Sequence, residues 1–227
     1  WFQTSPDANG QLFRPSIDAT HTLWTTDTGR APNNYVLARG MIHYANRPVT
    51  YVGSDGEPVN IVSDVLQLSV LAAYSRGPVR IGVDIPVYLF TAGLEGNEAG
   101  LGDAALDAKV TILDRTKLPL GLAISGRISF PTTTVNASLG DGGFGWELNA
   151  LVDKKVGPVL LAANVGTRGL PDRKLGNFTW SDQFQARLGV GWELGPGGGV
   201  SLDAGTNLNY ANVNAGSTPA AAILGGW

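Results

Sequence analysis

The side chains of this sequence that could act as a general base near neutral pH are its two histidines, His21 and His43. A histidine base in a hydrolase needs a nucleophile within hydrogen-bond reach and an acid that orients the ring. Neither histidine has an acidic neighbour in the chain, and the sequence contains no Gly-x-Ser-x-Gly elbow. The sequence therefore predicts that the protein is not an enzyme and that both histidines are ordinary polar residues.

Two further patterns are weak candidates for ligand chemistry. Asp103 and Asp107 would share one strand face, but four residues of strand place them about 13 Å apart, too far to act as a carboxylate pair. The stretch GDGGFG at Gly140–Gly145 lacks the following helix that phosphate-binding loops use, and we interpret it as a flexible loop. The sequence predicts no cofactor and no metal site.

Composition excludes several classes of protein. Charged residues make up 15% of the 227 residues, against roughly 25% in an ordinary soluble domain. The net charge of −3 offers no basic surface, so nucleic acid is not an expected partner. Cysteine is absent, which removes disulfides and thiolate ligands. No apolar run reaches the roughly 18 residues of a transmembrane helix.

The dominant pattern is an alternation of apolar and polar residues with a period of two. In the stretch from Val79 to Phe90 the odd positions are all aliphatic, while the even positions include Arg80 and Asp84. Similar runs of about ten residues follow one another, joined by alternately short and long connections. This arrangement predicts an all-β, antiparallel up-and-down barrel of about 10–14 strands. Phe13 to Trp24 is a weaker strand candidate.

Two architectures would explain this alternation. A soluble sandwich or lipocalin-like barrel turns its apolar face inward, whereas an outer-membrane barrel turns it toward lipid. Strands of about ten residues and polar faces poor in Lys and Glu favour a transmembrane barrel. Aromatic residues near the strand ends are expected at the lipid interface. These residues are Tyr44, Tyr74, Phe130, Phe144, Trp146, Trp192 and Tyr210.

In the membrane architecture the polar faces line the lumen. The charges predicted there nearly balance, which argues against strong ion selectivity and leaves two readings open, a pore and a network of ion pairs that closes the barrel. The residues predicted to face the lumen are Arg14, Asp18, Arg39, His43, Arg80, Asp84, Asp103, Asp107, Lys109, Arg127, Glu147, Asp153, Lys155, Arg168, Arg187, Glu193 and Asp203.

Several stretches resemble a known group of proteins. They include YANRPV at Tyr44–Val49, AAYSRGPVRIGVDIPVYL at Ala72–Leu89 and LAANVGTRG at Leu161–Gly169. Together they look like the amino-terminal barrel domain of OmpA-family outer-membrane proteins, a group related to the outer-membrane channel family of the phenol-degradation meta pathway. The resemblance implies a bacterial outer-membrane location and a barrel fold, and it would place further strands beyond the last residue.

We therefore expect a single outer-membrane β-barrel domain over residues 1–227. If the tight turns face the periplasm, Phe13 to Trp24 is one strand too many, so the sequence leaves the topology of residues 1–34 open. That segment could pair with another strand, fold into the lumen or belong to a longer barrel. The expected function is a passive pore for small solutes or an OmpA-like structural barrel.

Two alternatives to this function stay open. One is a non-conducting scaffold that holds a partner protein in an outer-membrane complex, and the other is a soluble β-barrel binding module. The expected partners are outer-membrane lipid and lipopolysaccharide.

Overall fold

The protein is all-β in a computed structural model that describes residues 13–18, 21–52, 58–94, 96–135, 139–175, 178–196, 198–210 and 220–226. The strands are β1 (Tyr35–Val52), β2 (Pro58–Arg76), β3 (Val79–Gly93), β4 (Gly96–Leu101), β5 (Ala105–Leu113), β6 (Gly121–Ser129), β7 (Gly145–Val156), β8 (Val159–Gly169), β9 (Arg173–Leu175), β10 (Phe178–Trp180), β11 (Gln183–Gly195), β12 (Gly198–Asn209) and β13 (Ala220–Gly226). Across the described ranges, no helix is long and apolar enough to cross a membrane.

Ten of these strands form one antiparallel meander, which confirms the up-and-down topology predicted from the sequence. Their order is β1-β2-β3-β5-β6-β7-β8-β11-β12-β13, and every neighbouring pair is antiparallel. The sheet curls into a half-barrel. Its terminal strands β1 and β13 do not pair with each other within the described residues.

Tight turns connect the strands at one end of the sheet. Gly77 and Gly157 each stand before a proline in such a turn, with φ of +61° and +57°. A positive φ at the first central residue matches a two-residue hairpin turn, which only glycine adopts readily. The opposite end carries the long connections. Two of these contain short hairpins: β4 pairs with β3, and β9 pairs with β10.

The two faces of the sheet differ sharply in side-chain type and exposure. On β3, Ile81 is 58% exposed while its neighbour Arg80 is 3% exposed. The same inversion recurs along β5, β6, β7, β8, β11 and β12, where apolar residues are exposed and polar ones are buried. We call the buried polar side the inner face and the exposed apolar side the outer face.

The inner face is covered by residues 13–18 and 21–30, which we call the N-terminal segment. The prediction of a strand at Phe13 to Trp24 is wrong, because no strand occurs between residues 13 and 34 in the described part of the chain. The segment instead folds back on itself, with the Ser16 amide donating to the Leu23 carbonyl oxygen at 2.9 Å. Its alternating pattern reflects contacts with the sheet rather than pairing within it.

Candidate functional site

The inner face carries a row of opposite charges that runs across four neighbouring strands. Asp107 on β5 lies opposite Arg127 on β6, which lies opposite Glu147 on β7, which lies opposite Arg168 on β8. Directly opposed residues of an antiparallel pair have close side chains, so opposite signs attract along the whole row. Register alone therefore builds an ordered line of charge on this face.

Arg14 of the N-terminal segment also pairs with a residue of this row. Its guanidinium donates to both carboxylate oxygens of Asp141, at 2.8 and 2.7 Å, and to Glu147 at 3.4 Å. Arg168 donates to the same Asp141 at 2.6 Å. Burial lowers the pKa of Arg14, but the Asp141 and Glu147 carboxylates outweigh it, so the net shift is upward. The guanidinium is therefore a permanent cation in a closed network.

A second ionic contact fixes the segment at Asp18, a few residues after Arg14. Asp18 accepts a hydrogen bond from Arg80 at 3.0 Å and pairs with the Lys109 ammonium at 2.5 Å. Arg80 also pairs with Asp107, which links this contact to the charge row. Beside it, Ile17 packs in an apolar cluster of buried residues that includes Leu71. Side chains thus anchor the first part of the segment.

Residues 23–29 are held differently, through their main chain. Asp203 accepts hydrogen bonds from the amides of Leu23 and Thr25, at 3.1 and 2.8 Å. The Asn164 side chain accepts from the Thr26 amide at 2.7 Å and donates to the Thr26 carbonyl oxygen at 2.8 Å. An extended segment away from any sheet would otherwise bury unsatisfied polar groups, and these side chains satisfy them.

The remaining main-chain contacts lie nearer the tight-turn end. Asp153 accepts from the Thr28 amide at 2.7 Å, and Thr111 donates to the Thr28 carbonyl oxygen at 3.0 Å. Lys109 donates to the carbonyl oxygens of Asp27 and Gly29, at 2.9 and 3.1 Å. Polar side chains of the sheet therefore replace the partner strand that this part of the segment lacks.

Glycines of the inner face let the segment lie close to the sheet. A Cβ at Gly191 would overlap the carbonyl oxygen of His21, and one at Gly205 would lie 2.8 Å from the Trp24 ring. Trp24 is 1% exposed and also packs under Arg187, whose guanidinium carbon is 5.3 Å from the ring centroid. These glycines are therefore needed for close packing of the segment.

His21 lies at the tight-turn rim of the inner face among three charged groups. Its ring contacts the Glu193 carboxylate, and its Nδ1 lies 3.9 Å from Asp27 Oδ2. Lys155 donates to the same Glu193 at 2.7 Å. Hydrogen bonding to Asp27 raises the pKa of His21, with a further upward contribution from Glu193, and together these outweigh burial and the opposing Lys155 charge. His21 is thus an ionic tie between segment and rim.

The residues predicted to face the lumen occupy different places. Arg39 and His43 are half-buried on β1, and His43 contacts the Phe13 ring with centroids 4.7 Å apart. Lys155 and Glu193 lie at the rim, where their side chains are more than a third exposed. Among the residues predicted to face the lumen, those that lie on strands and are buried on the inner face are Arg80, Asp84, Lys109, Arg127, Glu147, Asp153, Arg168, Arg187 and Asp203. Asp107 is half-buried there.

Three of these residues are not on strands, contrary to the sequence reading. Arg14 and Asp18 belong to the N-terminal segment and reach the inner face from outside the sheet. Asp103 lies in the connection before β5, where it accepts from the amides of Thr133 and Asp141. The alternating pattern around each of them is real, but strand pairing stops short of these positions.

Sequence reasoning missed several residues of the site. Asp141 lies in the Gly-rich stretch that we interpreted as a flexible loop, yet it is buried and binds both Arg14 and Arg168. Asp27 and Arg115 pair at 3.6 Å, and Arg115 also pairs with Asp153. Nothing in their local sequence indicates these partners, which come from distant parts of the chain.

The seven aromatic residues expected at a lipid interface gather toward the two ends of the sheet. Tyr74 and Trp192 stand near tight turns and are exposed on the outer face. Near the long connections, Phe130 and Phe144 pack edge to face with centroids 5.8 Å apart. Tyr44, Trp146 and Tyr210 lie toward the same end and are exposed.

A small cavity lies beside the bound segment. A cavity lined by Phe13, Arg14, Asp84 and Arg127 has a volume of about 20 Å³, room for about one water molecule. Among the described residues, no group of three or more His, Asp or Glu side chains is placed to hold a metal ion. No family model matches the chain, and a search of curated proteins found no match.

Proposed function

We propose that this chain is the membrane-spanning β-domain of a bacterial outer-membrane protein, with a structural and non-conducting role. The observation that carries the proposal is the pairing of an exposed apolar outer face with a polar inner face that the N-terminal segment fills. A soluble function would require the opposite arrangement. The resemblance to OmpA-family barrel domains agrees with this proposal.

The outer face supports insertion in lipid. Between the two aromatic rows, the outward positions of the described strands carry mostly apolar side chains, such as Ile85, Val110, Ile124 and Leu188, and Thr206 is an uncharged exception. The outward charge of Asp64 lies opposite Asn46, on the long-connection side of Tyr44, and that of Lys154 lies near the end of β7. Monomeric soluble proteins rarely expose an apolar patch larger than a few hundred Å². A surface of this extent is expected to contact hydrocarbon.

The spacing of the aromatic residues fits a bilayer. On β11, Phe184 and Trp192 point to the same face and bound a stretch of nine residues. A tilted strand needs about 9–11 residues to cross the hydrocarbon layer. Phe184 and Trp192 would then lie at the two interfaces, where aromatic rings are favoured.

The filled inner face supports a structural role over a pore. A channel needs a continuous water-filled path, whereas here the N-terminal segment occupies the polar side and its charges are paired with those of the sheet. Arg14, Asp18 and Asp27 each bind partners on the strands or their connections. Withdrawal of the segment would expose all of these groups, so the closed state is expected to dominate.

The first test asks whether the protein inserts. The full chain refolded from urea should enter phosphatidylcholine vesicles and float with them on a density gradient after a carbonate wash. Folded protein should also migrate faster than boiled protein on a gel. A chain that stays soluble and folded without vesicles or detergent would overturn the proposal in favour of a soluble binding module.

The second test measures conductance in a planar bilayer. The wild-type chain should be silent after insertion, and discrete steps from it would replace the structural role with a pore. Gly191→Ala should introduce steps, because its methyl group displaces the segment at His21. Gly126→Ala is the matched control, since its added Cβ meets only an ordinary contact at 3.7 Å, and it should remain silent.

A further inference from the structure

The two halves of the N-terminal segment are recognised by different chemistry. Residues 14–18 depend on side chains, through the ion pairs of Arg14 and Asp18 and the apolar packing of Ile17. Residues 23–29 are bound through amide and carbonyl groups, which every amino acid except proline supplies, and also through the side chains of Trp24, Asp27 and Thr28. Recognition of the main chain is therefore added to recognition of side chains in this half of the segment.

The main-chain contacts come from several strands. Asp203 on β12, Asn164 on β8 and Asp153 on β7 accept the amides of Thr25, Thr26 and Thr28 in that order. On the opposite flank, Lys109 and Thr111 on β5 donate to successive carbonyl oxygens. Asn164 also donates to the Thr26 carbonyl oxygen, so the two carboxylates accept on one side, the β5 residues donate on the other, and Asn164 does both. This arrangement of acceptors and donors would orient an extended polypeptide laid between them.

We propose that the inner face is a binding groove for an extended polypeptide and that the N-terminal segment is its exchangeable occupant. The groove takes a segment with a cation, an apolar side chain and an acid at the positions of Arg14, Ile17 and Asp18, followed by a main-chain-bound stretch. The proposal extends the structural role given above and does not depend on whether the domain conducts ions or enters lipid.

The connection between segment and sheet makes exchange physically simple. Residues 31–34 carry the chain from the inner face to β1, and Pro32 in this connection is exposed. The contacts with the sheet here include the turn at Gly77, whose amide donates to the Asn33 side chain at 2.6 Å and whose carbonyl accepts from Arg30 at 2.7 Å. The Tyr74 hydroxyl on β2 also donates to the Asn34 side chain at 2.9 Å. A cut before Pro32 would therefore separate the segment without breaking the sheet.

The test uses the full chain with a protease site inserted between Ala31 and Pro32. The folded protein is cut in detergent, unfolded in urea and refolded with an excess of fluorescently labelled peptide of residues 13–30. We expect the labelled peptide to replace the original segment at one per chain and an unlabelled copy to compete it away. The uncut chain, refolded in the same way, should exclude the peptide.

Two modified peptides test how the groove recognises its occupant. An ester in place of the amide before Thr25 removes the N–H that Asp203 binds, and it should weaken binding by about tenfold or more. A Thr26→Ala peptide keeps both main-chain groups that Asn164 binds, and its affinity should change by less than about threefold.

Each outcome decides the proposal. Stoichiometric exchange that is weakened by the ester before Thr25 and tolerates Thr26→Ala supports it. A cut chain that refolds without taking up peptide overturns the exchangeable occupant, as does a cut chain that no longer refolds while the uncut chain does. Equal affinity of the ester and amide peptides overturns main-chain recognition. Vesicle insertion and conductance are read in separate assays, so failure there leaves this result intact.

Discussion

The outer and inner faces of the sheet are built from the same strands but obey different constraints. On β7, Leu148 points outward and is 52% exposed, whereas its neighbour Glu147 pairs with Arg14 at 3.4 Å and with Arg168 at 3.6 Å. An apolar side chain of any shape would suit the first position. Only a carboxylate, with its partners in place, suits the second.

This contrast shows where specificity resides in the domain. The outer face needs hydrophobicity and a suitable length, which many sequences provide. The inner face needs particular charges and glycines at particular registers, because each must meet a group of the N-terminal segment. On the outer face, a substitution should therefore be tolerated if the new side chain is apolar. On the inner face, it should be tolerated only if the new side chain keeps the contact with its particular partner.

The largest expected effect comes from Glu147→Leu on the inner face. Loss of this carboxylate removes a counter-charge that Arg14, Arg168 and Arg187 share and leaves Asp141 to pair with the first two. Breaking such a buried network should lower the free energy of unfolding by about 3–5 kcal/mol. Urea titration of the refolded protein in vesicles, followed by tryptophan fluorescence, measures the change. Leu148→Ile is the outer-face control and should stay within about 1 kcal/mol. Similar values for both variants would refute the contrast.

The next largest effect compares two positions of the outer face that would lie at different depths in the bilayer. Leu188 and Leu194 lie on β11, and their side chains are 65% and 66% exposed. Leu188→Arg places a charge midway between Phe184 and Trp192 and should cost about 2–4 kcal/mol in vesicles, while Leu194→Arg, beyond Trp192, should cost about 0–1 kcal/mol. The same urea titration compares them. Equal costs would mean that this face does not lie in hydrocarbon.

The smallest effect concerns His21 and depends on pH. Because the folded-state pKa of His21 is raised above its ordinary value of 6.5, the stabilisation is complete below that value and is lost as pH rises through the folded pKa. The difference in unfolding free energy between wild type and His21→Gln should thus shrink from pH 5.5 to pH 9. Asp27, Glu193 and Lys155 surround the ring, and the His21→Gln variant retains all three residues. A difference that grows with pH would contradict the ionic tie.

The strand pattern and the character of its faces could be predicted from the sequence. The alternation around Arg80 and Asp84 correctly indicated a strand, because a period of two is a local property of the chain. The same reasoning failed at Phe13 to Trp24, where alternation arises from contacts with another element. Periodicity reports that one side of a segment is buried, and it does not report what buries it.

The sequence by itself determined the all-β class, the meander and the separation of apolar from polar side chains, since these follow from residue spacing over about ten residues. Only the tertiary structure decided that the N-terminal segment fills the inner face. Asp203 lies 178 residues after Thr25, and Asp141 lies 127 residues after Arg14. Contacts over such distances depend on strand order, register and curvature, which no local pattern encodes.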